Sequence, residues 1–280
     1  MYLKNIFRMM SLALHFRNGA ELVQRMRAGE SCDEVVLWDG TRIQHPAGRE
    51  GLLEGLQEIW LERVYTNGFY RPAAGDVIVD AGANVGLFAI CIARQNPRCR
   101  VVALEPFAEN FRFLETNVAK ARLGNVKCLE MAVGAEFGAG EMQAVGTRSL
   151  DHVLRVNAFA ARGRGSTPEA RDRQLEARSS RLAAAVSVVP LSGLFELADA
   201  PEIDFLKMDI EGSERDVFAA ASPDVLLRIQ RIAMEYHDSI VPGTLGLLRQ
   251  ALAPSHEITV RPSQQGGCGI LLGRRRGLSN

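Results

Sequence analysis

The feature of this chain that most constrains its fold is a short apolar run that ends in a carboxylate and then turns through glycines. Residues 77–80 read Val-Ile-Val-Asp, and the segment Gly-Ala-Asn-Val-Gly at 82–86 leads into another apolar stretch. This order predicts a buried strand, a tight turn and the start of a helix. In doubly wound sheets, that turn is where nucleotide-like cofactors bind.

Strand and helix patterns alternate along the rest of the chain. Strands are predicted at 77–80, 100–105, 126–133, 203–209 and 229–236, and a closing hairpin at 258–260 and 269–272. Helical spacing of apolar residues is found at 85–95, 108–123, 213–221 and 244–252. The alternation predicts an α/β protein with a Rossmann-like, doubly wound and mostly parallel sheet and helices on both faces.

Residues 1–75 precede this sheet and form an N-terminal prefix. Helical spacing covers 1–30 and returns at 52–65, and the Asp-Gly pair at 39–40 predicts a hairpin with a type I′ turn within 34–43. Docking of the first helix on the domain is the favoured interpretation, with a membrane-surface helix as the alternative. We interpret residues 1–75 as a cap rather than an independent domain, followed by one larger domain at 76–280.

Residues 146–186 interrupt the alternation as an insertion. The segment is rich in Arg, Ala and Ser, and Leu150, Val153 and Leu154 suggest a helix that residues 163–168, with their Gly and Pro, would break. A loop of this length in a compact domain is commonly a lid, a binding loop or a disordered insertion. The sequence leaves a solvated insertion and a lid over the substrate equally open.

Composition argues against several classes of protein. The 280 residues carry 33 Lys and Arg against 33 Asp and Glu, so no excess of positive charge favours nucleic acid as a partner. Five cysteines without a Cys-x-x-Cys pair argue against a disulfide framework or a zinc site and favour a reducing, cytoplasmic location. No segment approaches the ~20 apolar residues that span a bilayer. The oligomeric state is left open.

The carboxylate of Asp80 indicates the kind of cofactor. A dinucleotide site places a pyrophosphate at the helix N-terminus, and an acid two residues before Gly82 would repel it. The same acid suits a cofactor with an ammonium and a sulfonium group, such as S-adenosylmethionine. Asn84 replaces the middle glycine of a dinucleotide fingerprint. Glu105, which ends the next predicted strand before Pro106, can accept hydrogen bonds from both hydroxyls of a ribose.

Charged residues also end two later strands. Lys207, Asp209 and Glu211 lie at the end of the strand predicted at 203–209, and Glu235 and His237 end the following strand. Because ligands bind at the carboxyl ends of parallel strands, we expect these side chains to form a reaction site. A histidine beside acids is a candidate proton acceptor.

Taken together, these segments resemble the FkbM-type methyltransferases. The resemblance rests on Val-Asp-Ala-Gly-Ala-Asn-Val-Gly at 79–86, Ala-Leu-Glu-Pro-Phe-Ala-Glu-Asn-Phe at 103–111 and Phe-Leu-Lys-Met-Asp-Ile-Glu-Gly-Ser-Glu at 205–214. It implies a Rossmann-like fold, S-adenosylmethionine as methyl donor, and methyl transfer to a hydroxyl of a sugar, a polyketide or a similar natural product. The cofactor residues that it implies, with the neighbours Ala83 and Pro106 added, are Asp80, Gly82, Asn84, Gly86 and Glu105.

For the reaction, we hypothesise that Asp209 or His237 removes the proton of the acceptor hydroxyl, while Lys207 and Glu211 position the acceptor. This hypothesis requires no metal. The alternative is one Mg²⁺ held by Asp209 and Glu235, which would acidify the hydroxyl.

Two other functions are compatible with the same fold. A nicotinamide-dependent oxidoreductase is disfavoured by Asn84 and by the negative charge of Asp80. A non-catalytic cofactor-binding module would leave the charged cluster at residues 207–211 without a role.

Overall fold

Strands and helices alternate along the protein. The computed structural model describes residues 2–144, 152–156, 184–263 and 266–278. The strands are β1 (Glu34–Val36), β2 (Arg42–Gln44), β3 (Val77–Ala81), β4 (Arg100–Leu104), β5 (Val126–Leu129), β6 (Met131–Val133), β7 (Gly138–Ala144), β8 (His152–Val156), β9 (Ala184–Val189), β10 (Phe205–Met208), β11 (Arg231–His237), β12 (His256–Pro262) and β13 (Cys268–Arg275).

The helices cover both faces of the central sheet, which seven of these strands form. They are α1 (Tyr2–His15), α2 (Gly19–Ala28), α3 (Leu52–Gly55, continued by π-helical turns over Leu56–Glu62), α4 (Leu87–Gln95), α5 (Ala108–Lys120), α6 (Leu191–Leu197), α7 (Glu214–Ala220), α8 (Pro223–Leu227) and α9 (Thr244–Leu252). Among the described residues, no helix has the length and apolar character needed to cross a membrane.

A seven-stranded sheet in the order β12-β13-β11-β10-β3-β4-β5 forms the centre of the molecule. The five strands from β11 to β5 are parallel. β13 runs antiparallel to both β11 and β12, as the closing hairpin predicts. The mostly parallel α/β sheet expected from the sequence is confirmed.

Side-chain alternation along the strands divides the core into two layers. Ile78 and Phe205 pack on one face with α4, α5 and the prefix, whereas Leu206 packs on the opposite face with α6 to α9. Because helices cover both faces, the central strands are apolar on both sides. Asp80 and Lys207 lie two residues along from Ile78 and Phe205, so they point toward the prefix.

The N-terminal prefix packs on that same face. Leu12 of α1, Leu22 of α2, Ile43 of β2 and Leu52 of α3 belong to one buried cluster with Ile78 of the central sheet. The helices expected at 1–30 and 52–65 are present, the latter with a π-helical second half. The shared core supports the interpretation of the prefix as a cap, which stays a prediction.

The turn of the prefix hairpin differs from the predicted type I′ geometry. Gly40 N donates to Leu37 O at 2.9 Å, and Leu37 N donates to Thr41 O at 2.8 Å. Gly40 has a φ of 87°, whereas Asp39 is not among the residues with positive φ. The loop is therefore a type I turn followed by one left-handed glycine, which suits a three-residue connection.

A second sheet of four strands lies beside the first, in the order β6-β9-β7-β8. The sequence predicts one strand over 126–133, but the chain forms β5 in the central sheet and then β6 in the second sheet. Period-2 apolar patterns cannot show which sheet a strand joins, and this accounts for the error.

The predicted insertion contributes to that second sheet. The helix suggested by Leu150, Val153 and Leu154 is wrong, because β8 covers 152–156 and pairs antiparallel with β7. The end of the insertion enters β9, which pairs with β6 and β7. The question of a solvated insertion or a lid lies outside the described residues.

Candidate functional site

Asp80 and Lys207 form a buried ion pair below the glycine turn. They are register partners on the neighbouring parallel strands β3 and β10. Lys207 Nζ lies 3.1 Å from Asp80 Oδ1 and donates a hydrogen bond of 2.8 Å to Gly82 O. Neither Asp80 oxygen has a hydrogen bond of standard geometry among the described residues, so the contact with Lys207 is ionic. The pair fixes the first glycine of the turn.

Burial and charge together determine the ionisation of this pair. Asp80 is 0% exposed and Lys207 is 3% exposed. Burial raises the pKa of Asp80, and the positive charge of Lys207 opposes the rise. Burial acts to lower the pKa of Lys207, but the negative charges of Asp80 and Asp209 outweigh it and the pKa stays above its usual value. Lys207 is therefore a buried cation that pairs within the protein, and its predicted role of positioning the acceptor stays a prediction.

Gly82 brings the glycine turn (residues 82–86) against the end of β10. Its φ is +77°, and a Cβ at this position would lie 1.8 Å from Asp209 O. Asp209 N in turn donates to Ala81 O at 3.0 Å. Only a glycine leaves room for this backbone contact. The turn after β3 and the charged segment after β10 are thus in direct contact.

Glu105 organises the other side of the turn. Its Oε2 accepts a hydrogen bond of 2.7 Å from Asn84 N, and its Oε1 accepts one of 3.0 Å from Phe107 N. Burial raises the pKa of Glu105 to about 7, although these backbone donors act to lower it. The carboxylate joins the loop after β3 to the loop after β4.

The other predicted cofactor residues line the same turn. Ala83 is buried and its N donates to Leu104 O at 2.9 Å. Asn84 has a φ of 50°, and a Cβ on Gly86 would lie 2.8 Å from Leu114 Cδ1 of α5. Pro106 is half-buried directly after Glu105. The structure brings all seven predicted cofactor residues to one edge of the sheet.

The four predicted residues beyond the ion pair also meet at this edge. Ligand atoms of Asp209, Glu211 and His237 all lie within 4.8 Å of one another. His237 Nε2 lies 3.5 Å from Glu211 Oε2 and 3.9 Å from Glu235 Oε1. The shared strand edge predicted from the sequence is therefore present.

A residue outside the predicted set orients His237. Glu214, the first residue of α7, is fully buried, and its Oε1 lies 3.1 Å from His237 Nδ1 and 3.2 Å from Ile210 N. With Nδ1–H donating to Glu214, Nε2 is directed at the acids. The sequence offers no signal for this role, since an acid in the first turn of a helix is common.

The cluster concentrates negative charge around one imidazole. Burial acts to lower the pKa of His237, but the hydrogen bond to Glu214 and the surrounding carboxylates raise it to about 10. Burial and the charge of Asp209 raise the pKa of Glu211 to about 9 and of Glu235 to about 8. The acids destabilise one another's charged forms.

Tyr65 of the prefix also reaches the site. Its hydroxyl donates to Asp209 Oδ2 at 3.3 Å, and Lys207 Nζ lies 5.5 Å from the centre of its ring. The ring packs edge-on against Phe88 of α4, with centroids 5.9 Å apart. No local pattern around residue 65 indicates this role, because the contact depends on how the prefix docks.

Comparison with known sequences identifies related proteins. The family model described as Methyltransferase FkbM domain matches residues 80–254. The protein 31-O-demethyl-FK506 methyltransferase FkbM from Streptomyces tacrolimicus is 30% identical over 242 residues, which cover 83% of this chain and 91% of the relative. Methyltransferase 1 from Beauveria bassiana is 25% identical over 197 residues, 65% of this chain and 72% of the relative.

Solved structures include similar chains of low sequence identity. A SAM dependent methyltransferase from Aquifex aeolicus superposes with a TM-score of 0.39 at 12% identity, over 78% of this chain and 92% of that chain.

Proposed function

This chain belongs to the FkbM family of S-adenosylmethionine-dependent methyltransferases, and from that premise we propose that it methylates a hydroxyl group on a small natural product or sugar. The observation that carries the proposal is the contact of Gly82 with Asp209 O, which brings the cofactor turn against the acid–histidine cluster. A methyl donor on one side and a proton acceptor on the other are what transfer to a hydroxyl requires. The name of the Streptomyces relative, a 31-O-demethyl-FK506 methyltransferase, supports an oxygen acceptor.

The residues of the turn fit S-adenosylmethionine. Gly82 has the positive φ of a turn whose backbone approaches a ligand closely, and it has no side chain that would fill the space above the turn. When bound, the cofactor supplies a methyl group on a positively charged sulfur, which the hydroxyl oxygen attacks as the carbon–sulfur bond breaks. We assign Glu105 to a ribose hydroxyl, because a carboxylate offers about four acceptor sites and Glu105 uses two for backbone N–H groups and one for Asn110.

Asp80 and Lys207 have a positioning role in this proposal. Lys207 Nζ holds both Asp80 Oδ1 and Gly82 O, so the pair fixes the turn that carries the cofactor. Because Asp80 is fully buried, we assign the direct contacts with the cofactor to Glu105 and to the backbone of residues 82–86. This assignment replaces the role of Lys207 as an acceptor-positioning group.

The proton of the acceptor hydroxyl passes to the cluster at the end of β10 and β11. Asp209 and His237 are the two candidate bases, because both lie in the group that contacts the glycine turn. The raised pKa of His237 means that its ring must first lose a proton before it can accept one from the hydroxyl. Glu214 fixes the imidazole ring through Nδ1, and Tyr65 fixes Asp209 through Oδ2. Pre-oriented groups of this kind hold an acceptor in line for attack, which can supply about 7–11 kcal/mol of the barrier.

The test is methyl transfer by the full chain from S-adenosyl-[methyl-³H]methionine to a panel of hydroxyl-bearing polyketides and sugars. We expect label in a methyl ether, identified by mass spectrometry and NMR of the product. Asp209→Asn and His237→Gln separate the two candidate bases: loss of the base lowers turnover by roughly 10²–10⁴-fold, while binding of S-adenosylhomocysteine is retained.

Asp224→Asn, at an exposed position of α8, is the matched control and should keep full turnover. Label on nitrogen or carbon would overturn the proposed acceptor class. Full turnover in both cluster variants would overturn the proposed site. Binding of S-adenosylhomocysteine without transfer to any acceptor would favour a non-catalytic module.

We further propose a reducing, cytoplasmic location. All five cysteines are free in the structure, and Cys32 and Cys99 are buried. Unpaired thiols are the common state of cysteine in reducing compartments. Retention of full methyl transfer in reducing buffer, and its loss under oxidising conditions, would agree with this location.

A further inference from the structure

One cluster within the described residues has donor atoms placed as ligands of a single ion. Asp209, Glu211 and His237 offer ligand atoms that all lie within 4.8 Å of one another, and His237 Nε2 lies 3.5 Å from Glu211 Oε2. Adjacent donors on an octahedral ion with bonds of ~2.1 Å lie about 3 Å apart, and opposite donors about 4.2 Å apart. The observed separations are slightly longer than these values, so small side-chain shifts would bring the three donors onto one ion.

The imidazole is prepared as a ligand by a second carboxylate. Glu214 Oε1 lies 3.1 Å from His237 Nδ1, so the ring donates its Nδ1–H and presents Nε2 to the cluster. Metal-bound histidines almost always carry such a partner on the other ring nitrogen, because it fixes the tautomer and raises the basicity of the ligand.

Unpartnered buried oxygens provide a second, separate indication. Asp209 Oδ1 and Glu214 Oε2 are enclosed and have no hydrogen-bond partner among the described residues, and Glu214 is 0% exposed. A buried carboxylate oxygen without a hydrogen-bond partner destabilises the folded state, so its presence calls for a bound partner. The ammonium of Lys207 does not satisfy them, because it is bound to Asp80 and Gly82 O.

We propose that His237 Nε2, Asp209 and Glu211 bind one divalent cation, with Glu235 at the edge of the site. The carboxylate oxygens suit Mn²⁺ or Mg²⁺, the imidazole nitrogen favours a first-row metal such as Mn²⁺, and the set lacks the thiolates that select softer metals. Glu235 Oε1, 3.9 Å from His237 Nε2, is within reach of a bridging water. The cation site differs from the pair Asp209 and Glu235 considered from the sequence, because Glu211 and His237 lie closer to each other than Glu235 does to His237.

The cation would change the chemistry of the cluster. With Nε2 bound to the ion, His237 is no longer a base, and a hydroxyl that joins the ion becomes more acidic. This consequence rests on the proposed function, whereas the cation site itself does not.

The test is direct binding of Mn²⁺ to the full chain after treatment with a chelator and its removal by dialysis. Titration calorimetry and electron paramagnetic resonance should show one Mn²⁺ per chain, and Mg²⁺ should compete for it. Glu214→Gln should weaken Mn²⁺ binding by roughly 10–100-fold, and Asp209→Asn or His237→Gln should weaken it by more. His15→Gln, at an exposed position of α1, should bind Mn²⁺ as the native chain does.

Glu211→Gln is the ligand variant that should still fold, because the side chain of Glu211 is 24% exposed and the substitution leaves the core intact. Absence of stoichiometric Mn²⁺ binding to the native chain, or binding unchanged in Glu211→Gln and His237→Gln, overturns the cation site. Neither result bears on methyl transfer, which is measured separately. Methyl transfer that survives chelation would overturn the role of the ion in the reaction.

Discussion

The two acid-rich loops at the carboxyl edge of the central sheet neutralise their charge in different ways. In the cofactor turn, Asp80 is matched by Lys207 from the neighbouring strand, and Glu105 accepts hydrogen bonds from two backbone N–H groups. In the cluster after β10 and β11, the carboxylates of Glu211 and Glu235 both face the imidazole of His237, at 3.5 and 3.9 Å from its Nε2. Both loops are rich in acids, but in the first Asp80 has a cation of its own, whereas in the second several carboxylates share the single imidazole of His237.

The difference indicates what each loop is built to do. A turn whose charges are satisfied internally is rigid before a ligand arrives, which suits a cofactor that binds in one pose. A cluster with excess negative charge stores unfavourable interactions that an external proton donor or cation can relieve. Each variant below tests whether one loop is internally satisfied while the other is not.

The largest effect is expected from Gly82→Ala in the cofactor turn. A Cβ would lie 1.8 Å from Asp209 O in a backbone with a φ of +77°, so both the clash and the left-handed conformation destabilise the variant. We expect a loss of more than about 4 kcal/mol in the free energy of unfolding, measured by urea denaturation.

Gly75→Ala is the matched control for this prediction. Gly75 has a φ of +89° with nothing within 4 Å of the added carbon. Gly75→Ala should therefore lower the free energy of unfolding only through the left-handed backbone, by about 1–2 kcal/mol. Equal losses at the two positions would show that the contact between the loops is not needed.

The next largest effect is expected from Lys207→Met. The substitution keeps the volume but leaves the fully buried Asp80 without its cation, which costs about 3–5 kcal/mol of unfolding free energy. Adding Asp80→Asn should restore part of the loss, because no uncompensated charge remains. Lys127→Met, at an exposed position, should change stability by less than about 0.5 kcal/mol; a comparable loss there, or no rescue in the double variant, would contradict an internally matched pair.

A smaller effect, on binding, is expected from Glu105→Gln. The amide accepts a hydrogen bond from a ribose hydroxyl less strongly than a carboxylate does. We therefore expect an affinity for S-adenosylhomocysteine about tenfold weaker, which corresponds to about 1.4 kcal/mol. Calorimetry with S-adenosylhomocysteine and its 2′-deoxy analogue separates this role from the support that Glu105 gives to the turn. The native chain and Glu115→Gln, on the exposed face of α5, should discriminate against the analogue, and Glu105→Gln should not. Equal discrimination by all three would remove Glu105 from the ribose site.

The smallest effect is expected from Glu211→Gln, and it has the opposite sign. Removing one of the crowded acids should stabilise the chelator-treated chain by about 0.5–1 kcal/mol, the usual gain when a functional site is relieved of strain. With Mn²⁺ present the order should reverse, because the ion stabilises only the chain that binds it. Urea denaturation under both conditions measures this, and Glu196→Gln, an exposed acid of α6, should show neither change. A destabilised Glu211→Gln under chelation would show that the cluster is satisfied as it stands.

Much of the central sheet and the positions of the site residues are predictable from the sequence. Buried parallel strands show as continuous apolar runs, so β3, β4, β10 and β11 are recognisable from local pattern. Carboxyl ends of parallel strands meet at one edge whatever the details of packing. The order of strands and helices therefore suffices to place Glu105, Asp209 and His237 together.

The errors fall where local pattern carries little information. The helix suggested at Leu150, Val153 and Leu154 and the single strand over 126–133 are wrong because both segments join a second sheet, whose pairing depends on distant residues. The predicted turn at Asp39-Gly40 is wrong because a loop longer by one residue selects another geometry.

The sequence by itself determined the family, the order of strands and helices, and the edge of the sheet at which the acids collect, since those depend on apolar periodicity and on residues at fixed offsets. The tertiary structure alone decided the partner of each charge: Lys207 for Asp80 through strand register, Glu214 for His237 through the packing of α7 against the end of β11, and Tyr65 for Asp209 through docking of the prefix. Electrostatic interactions depend on separations of a few ångströms between groups far apart in the chain, and those separations exist only once the chain is folded.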